Sequence, residues 1–577
     1  MTISLVDAES VLALDIGSVY TRAMLFDVVD GQYRFLGAGV APTTAGAPFY
    51  DVSEGMHRAL EKLQDVTGRS LFNAQGQLIL PSQPDGNGID QMMAVFTAGP
   101  ELRMVTIGLL ETASLESANH LAGLIYGKLV ESIGLNDRRR TETQVDAIIK
   151  AQPNLIILAG GTERGATRSI SKLVEMIALV LEVLPREKRP EIVYAGNQVL
   201  AKRIKDLLSK QTTVYVTPNI RPSIDVEDLG PAQETMAKVV YDIRSEQVGG
   251  LKTIGSLCTL PILPASHGYG RMIRFMSQLD VESVKDARRV LGVDLGASAT
   301  TIAATVQGAL RMHTFRLGMG YSISEVMRVT HLEEVVRWLP MHVPEDEVRD
   351  YLWQRTLYPM MQPMTSETLA IEQAMARQAL RAAMQGMEAE WPEMGRQFDP
   401  IVVSGAILAQ GSTPGQALLQ ILDGLEPVGI STILLDTYGI LPVLGAIAGH
   451  NPILPVHVLE SSALVNLGTV IRPVCNARYG TPILKVRLVY DNDDSTTIEL
   501  RHGSLTVLPV QPNQHVKVYL TPLRSLYIPG VEIRHGLSMI GGMNGIVVDA
   551  RGHPLSLPSD APRRRDLLKK WSLALGF

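Results

Sequence analysis

One short pattern occurs twice in this chain. Val11-Leu-Ala-Leu-Asp15-Ile-Gly17-Ser18-Val-Tyr-Thr21-Arg22 is echoed by Val290-Leu-Gly-Val-Asp294-Leu-Gly296-Ala297-Ser298-Ala-Thr300-Thr301. Each copy is an apolar run that ends in Asp-x-Gly and continues into small hydroxyl residues. The apolar run predicts a buried strand. The glycine lets the backbone turn sharply, so that its N–H groups face an anion. An aspartate at the strand tip reaches a water on Mg²⁺. Two such turns facing each other would grip a nucleoside triphosphate from both sides. A single Asp-x-Gly also suits an ordinary hairpin turn; the matched flanks favour the nucleotide reading.

At 577 residues the chain exceeds a single core, and two to four domains are expected. With 46% hydrophobic residues and a mean hydropathy of +0.11 it is not a disordered chain. A net charge of −6 carries no global nucleic-acid footprint. Cys258 and Cys475 form no C-x-x-C, so no zinc or iron–sulfur site is written here, and two lone cysteines suit a reduced, cytoplasmic interior. Asp7 and Glu9 precede the first apolar run, unlike a signal peptide. The uncharged stretch from Pro400 to Leu422 carries Gly405, Gly411, Pro414 and Gly415, which argues against a bilayer span. A soluble protein is expected.

Asp30-Gly31 predicts a hairpin after the first turn. A helix is expected from about Ser114 to Ile133, with Leu121, Leu124, Ile125, Leu129 and Ile133 at helical spacing. Residues 154–159 and 191–195 read as strands around a helix from Ser169 to Leu184, a Rossmann-like β–turn–α–β unit. Its Gly160-Gly161-Thr162-Glu163-Arg164-Gly165 turn suits either an anion or tight turn geometry, with Glu163 and Arg164 expected to be solvated. A long helix from Pro363 to Trp391 begins at Thr365 or Ser366, and its methionines are expected to fill the core. Beyond residue 460, alternating segments predict a β-rich module, ending in a basic amphipathic helix capped by Ser559 or Asp560. That helix would fold back on its own domain or dock on a partner.

In order, these pieces resemble the superfamily of actin, the heat-shock ATPase chaperones and the sugar kinases. Asp15-Ile-Gly17-Ser18 with Arg22 resembles its first phosphate motif, with arginine where lysine is usual. Asp294-Leu-Gly296-Ala297-Ser298 with Thr300 resembles the second. Ser404-Gly405-Ala406 resembles the adenosine motif, and Gly439 to Gly449 the second connecting helix. Three further segments resemble the glutamate mutase accessory protein family, of the MutL or GlmL type: Ala98-Gly99-Pro100-Glu101-Leu102 through Leu109, Leu158-Ala-Gly160-Gly161-Thr162, and Tyr194-Ala195-Gly196-Asn197. Pro100-Glu101 replaces a favoured Gly-Gly, and Glu163-Arg164 a favoured Asp-Gly.

The resemblance implies an α/β, two-lobed actin-like ATPase. The first lobe would span 1–285 with a Rossmann-like insertion at about 145–250, the second 286–460, and a β-rich C-terminal domain 461–577. It implies an ATP-dependent chaperone or reactivating factor for an adenosylcobalamin-dependent mutase, using nucleotide-driven closure to release damaged cofactor. Ala265-Ser-His267-Gly268-Tyr-Gly270 lacks the aspartate and spacing of a cobalamin-binding motif, so the chain is not expected to carry that cofactor itself.

In this reading the backbone at Gly17-Ser18 and Gly296-Ala297 cradles phosphates. Asp15 and Asp294 orient waters on Mg²⁺, and Asp294 aligns the attacking water. Thr21 or Arg22 touches phosphate oxygens, while Gly405 and Ala406 admit adenine and ribose. The hydroxyls of Ser18, Thr21, Ser298 and Thr300 would equally serve their own turns. Two alternatives stand beside it, an actin-like polymerising scaffold and a small-molecule kinase. No nucleic-acid partner is expected, and a homodimer or higher assembly is possible.

Overall fold

The computed structural model describes residues 9–279, 288–532 and 535–577. Asp7 and the expected 285/286 boundary lie outside the described residues. The described residues form two compact units: residues 9–27 with 36–268, and residues 28–35 with 269–279, 288–532 and 535–577.

In the first unit, Val11–Ile16 is buried at every position. It pairs antiparallel with Tyr20–Val29 and parallel with Gln91–Phe96, so both of its edges and both faces are covered, as its unbroken apolar run requires. The sheet runs Gln32–Pro42, Tyr20–Val29, Val11–Ile16, Gln91–Phe96, Leu263–Pro264. Asp30 and Gly31 turn the hairpin with φ of 53° and 79°, the left-handed pair that a two-residue loop needs.

A second sheet in this unit is wholly parallel, in the order Gly127–Ile133, Leu102–Ile107, Leu155–Leu158, Glu191–Tyr194, Val214–Val216. The helix Arg168–Val183 packs its apolar side on this sheet through Ile170, Val174, Ile177 and Leu181. This is the expected Rossmann-like unit, and it also takes in strands upstream of residue 145. The expected helix to Ile133 is a correction. A π-turn at Glu111–Leu115 and a helix at Glu116–Gly123 stop early, and Gly127–Ile133 is a strand. Gly123 and Gly127 weaken helix by about 1 kcal/mol each, and pairing with Leu102–Ile107 rewards the extended form. Leu129, expected at helical spacing, is 41% exposed on that edge strand.

Glu191 begins the fourth strand of this order. Burial pushes its carboxyl up to about 7, with Asp242 and Glu246 adding to the effect and the Tyr215 hydroxyl opposing it. Tyr215 Oη donates to Asp242 at 2.8 Å, and Glu191 Oε2 is buried with no hydrogen-bond partner. A carboxyl raised in the folded state holds a proton that the unfolded chain has released. Stability therefore falls as pH climbs from about 4.5 to about 7 and stays low above. Glu191→Gln is expected to stabilise this unit by about 1–3 kcal/mol at pH 8 and to change nothing at pH 4, read from thermal melts at both.

The second unit is built on an eight-stranded sheet: Ala309–Phe315, Thr300–Val306, Leu291–Leu295, Ile401–Ser404, Gly429–Asp436, Val465–Arg472, Ile546–Asp549, Leu505–Leu508. Its first five strands repeat the order of the first sheet, an antiparallel hairpin followed by parallel neighbours. The helix Ser366–Glu390 is capped by Thr365, whose hydroxyl accepts the Thr368 N–H. Met375, Met384 and Met387 fill the core as expected, whereas Met364, ahead of the cap, is exposed.

The β-rich segment is divided between two sheets. Ile546–Asp549 and Leu505–Leu508 extend the large sheet, while Ser495–Arg501, Pro482–Tyr490, His515–Pro522 and Leu537–Ile540 form a separate four-stranded one. The terminal helix Ala561–Ala574, capped by Asp560, folds back on its own unit through Leu567, Leu568 and Trp571.

Beneath that helix lies a buried ion network. Arg551 bonds Asp549 at 2.8 Å and Asp423 at 2.6 Å, and Asp423 also takes Arg377 at 2.8 Å. Arg472 stands 3.6 Å from Asp549 and 3.7 Å from Glu426. The Arg551 guanidinium lies 4.9 Å from the Trp571 ring centroid. Helices 366–390 and 414–425, strands 465–472 and 546–549, and the terminal helix are thus tied at one point.

Candidate functional site

The first turn closes with the Gly17 N–H donating to the Tyr20 carbonyl at 3.0 Å. A Cβ on Gly17 would stand 2.7 Å from that same carbonyl oxygen, so the turn admits only glycine without shifting. Asp15 lies opposite Arg22 across the strand pair, and Arg22 Nη1 reaches its Oδ2 at 2.9 Å. Thr21 is fully buried. Its hydroxyl meets that of Thr43 at 2.9 Å, and Thr43 donates to the Gly17 carbonyl at 2.8 Å. Thr21 therefore shapes the turn, while Gly17 and Ser18 are half-buried at its rim.

The second turn repeats this construction. Gly296 N–H donates to the Ala299 carbonyl at 2.9 Å, and Asp294 lies opposite Thr301 as Asp15 lies opposite Arg22. Thr300, at the place of Thr21, is fully buried and bonds the Leu317 carbonyl, just after the third strand, where Thr43 stands in the first copy. Gly296 and Ala297 are half-buried; Ser298 is buried. The Gly320 N–H donates to the Ala297 carbonyl at 2.9 Å, which braces the loop from behind. The copies differ in what faces the aspartate: arginine partners the first, and a threonine lies opposite the second.

Ser404, Gly405 and Ala406 stand at the end of the neighbouring parallel strand. Ser404 pairs in register with Asp294, and its Oγ donates to Asp294 Oδ1 at 2.6 Å. Gly405 has φ of 136°, and a Cβ there would lie 2.5 Å from the Leu295 carbonyl oxygen, so the strand tips approach closely only because no side chain intervenes. Ala406 is exposed. The second unit thus gathers Asp294, Gly296, Ala297, Ser298, Thr300, Ser404, Gly405 and Ala406 at one sheet edge, and the first gathers Asp15, Gly17, Ser18, Thr21 and Arg22.

One residue at this edge was not picked out in the sequence. Asp436 ends the next strand, in register with Ser404, and is 1% exposed. Its carboxylate accepts the N–H groups of Gly439 at 2.8 Å and of Ile440 and Leu441 at 3.0 Å each. Burial raises its pKa, those three N–H groups oppose the rise, and nearby Asp294 adds to it. The spacing Asp-x-x-Gly before a helix was the available signal, an aspartate capping the orphan N–H groups.

In the parallel unit, Glu163 is exposed yet bound, its Oε1 accepting from Asn219 Nδ2 at 2.8 Å. Glu163 and Arg164 are both exposed loop residues, as expected. Among the described residues no three His, Cys, Asp or Glu side chains are grouped as a metal ion would need. The strand-tip carboxylate of Asp294, with the Ser404 hydroxyl beside it, nevertheless suits magnesium, which keeps most of its waters and is carried on phosphates. No helix among the described residues is long and apolar enough to cross a membrane.

No curated protein sequence matches the chain. Solved structures similar to it include a gluconate kinase from Lactobacillus acidophilus at 9% identity, covering 78% of this chain and 92% of that one with a TM-score of 0.31. A glycerol dehydratase reactivase matches at 11% identity, over 72% and 95%, with a TM-score of 0.27. The Aquifex aeolicus Ppx/GppA phosphatase matches at 11% identity, over 76% and 81%, with a TM-score of 0.19. The family model described as MutL protein matches residues 11–463, well over half of the sequence. The chain therefore belongs to the MutL family, the glutamate mutase accessory proteins that its motifs resemble.

Proposed function

We propose that this protein is an ATP-binding, ATP-hydrolysing reactivating factor that acts on an adenosylcobalamin-dependent mutase. The observation that carries the reading is the duplicated turn. Two sheets of one strand order end their central strands in the same Asp-x-Gly, closed by the same hydrogen bond, in a chain of the MutL family. The glycine N–H groups close the turns on Tyr20 and Ala299, and the backbone N–H groups of Ser18 and Ala297 beside them would take phosphate oxygens. Asp15 and Asp294 would hold the magnesium of the nucleotide through its waters. When bound, that ion neutralises charge on the phosphates. The adenosine side falls to Gly405 and Ala406, where the missing side chain lets a nucleoside approach the backbone. An actin-like scaffold would dock through the basic terminal helix, and that helix is packed on its own unit.

Calorimetric titration with ATP in Mg²⁺ tests the proposal. Saturable binding is expected for the unaltered protein and its loss for Gly405→Val, which drives a side chain into the Leu295 carbonyl. Absence of binding by the unaltered protein, or undiminished binding by Gly405→Val, would overturn it.

A further inference from the structure

Three adjacent strand ends of the large sheet present a polar row: Asp294, Ser404 and Asp436, in register across the two pairings. The two outer members are carboxylates close enough for Asp294 to perturb Asp436. The middle member is a hydroxyl, 2% exposed, with its hydrogen on Asp294 Oδ1 at 2.6 Å. Its surroundings are fixed on both sides. Asp436 is held by three backbone N–H groups at the head of the helix Leu441–Ile447. The phenol of Tyr269, 1% exposed, donates to the Val402 carbonyl at 3.2 Å and stands against the Ser404 hydroxyl.

A serine so placed has no hydrogen left for a nucleoside. Without it, Asp294 would keep the repulsion of Asp436 and lose a short bond to a charged acceptor, the strong kind. We propose that Ser404 is a positioning residue that holds the Asp294 carboxylate in the rotamer that meets the magnesium of the bound nucleotide. Asp436 and Tyr269 are the fixed frame against which it works. Arg22 does the corresponding work for Asp15 in the first copy. This inference rests on the nucleotide reading and moves Ser404 from contact with adenosine to control of Asp294.

The test follows ATP binding to the full chain at rising Mg²⁺, with ATP in EDTA, adenosine alone and a thermal melt as companions. For Ser404→Ala the Mg²⁺ needed for half-effect is expected to rise about tenfold. Binding of ATP in EDTA and of adenosine should stay as in the unaltered chain, while the melting temperature falls modestly with the lost bond. Ser404→Thr, which restores the hydroxyl, should recover the Mg²⁺ response. In an Asp294→Ala background, Ser404→Ala should add nothing. If Ser404→Ala unfolds, Ser404→Cys keeps the volume with a weak donor and is read the same way. An unchanged Mg²⁺ response overturns the proposal, and so does an equal loss of adenosine binding, which would restore direct contact. Failure of the unaltered chain to bind ATP at any Mg²⁺ would overturn the nucleotide reading itself, a result visible before any variant is made.

Discussion

Asp549→Ala is expected to cost about 3–5 kcal/mol and to cut the yield of folded protein sharply. Asp549 is fully buried and faces two arginines, Arg551 at 2.8 Å and Arg472 at 3.6 Å. Truncating it leaves both guanidinium groups in the interior with one counter-charge fewer, and neither reaches water. Arg551 would keep Asp423, and Arg472 would keep Glu426 at 3.7 Å and the carbonyls of Leu422 and Gly552. Glu499→Ala supplies the contrast. Its pair with Arg501 is exposed on both sides, and its loss is expected to change stability by less than about 0.5 kcal/mol. Denaturant melts of the two variants beside the unaltered protein check the difference, and a mild effect at Asp549 would show that the network relaxes or hydrates. The same network is sensitive to acid. Burial pushes the Asp549 and Glu426 carboxyls up, but Arg551 and Arg472 at the first, and His553, the Leu555 N–H, Arg472 and Arg381 at the second, hold both at about 2. Depressed carboxyls lend stability above their ordinary values, which is lost as pH falls from about 4 towards 2.

Asp294→Ala is expected to lower ATP turnover on the order of 10²-fold, the scale on which one electrostatic group at a reacting phosphate acts. ATP binding in EDTA should persist, because the backbone of Gly296-Ala297 is closed by its own bond to Ala299 and not by the aspartate. Steady-state turnover and binding with and without Mg²⁺ separate the two contributions. Unchanged binding and unchanged turnover together would remove the second turn from the site. Asp15→Ala is a less clean experiment, since it strips the 2.9 Å partner from Arg22 and alters a second charge.

The central strands of both sheets were readable because an unbroken apolar run admits few fates, and the Asp-x-Gly that ends each run could be compared with a copy of itself. The reading failed where two structures share one pattern. Residues 127–133 carry apolar residues that suit a helix stripe or a strand, and the decision lay with Leu102–Ile107, a strand elsewhere in the chain. Alternation in 504–510 marks a strand without saying which sheet it joins; pairing of Leu505–Leu508 with Ile546–Asp549, itself beside Val465–Arg472, settled that. At the site, Gly405 was legible because a missing side chain leaves a mark in the sequence. The bond from Ser404 to Asp294 was not, since it links residues 110 apart. Thr21 and Thr300 carry the hydroxyls expected beside a phosphate, yet both are turned inward to their own turns.

The docking of Ala561–Ala574 bears on how this molecule is made. Leu568, Trp571 and Leu575 belong to the same apolar cluster as Leu291 and Val293, so the larger unit has no finished interior until residue 575 has emerged from the ribosome. The first unit is assembled largely from residues before 269 and is free to fold during synthesis, ahead of its neighbour. A nascent chain halted before the terminal helix would present an open seam beside the buried arginines, and any tag fused there must respect a segment that is interior to the fold.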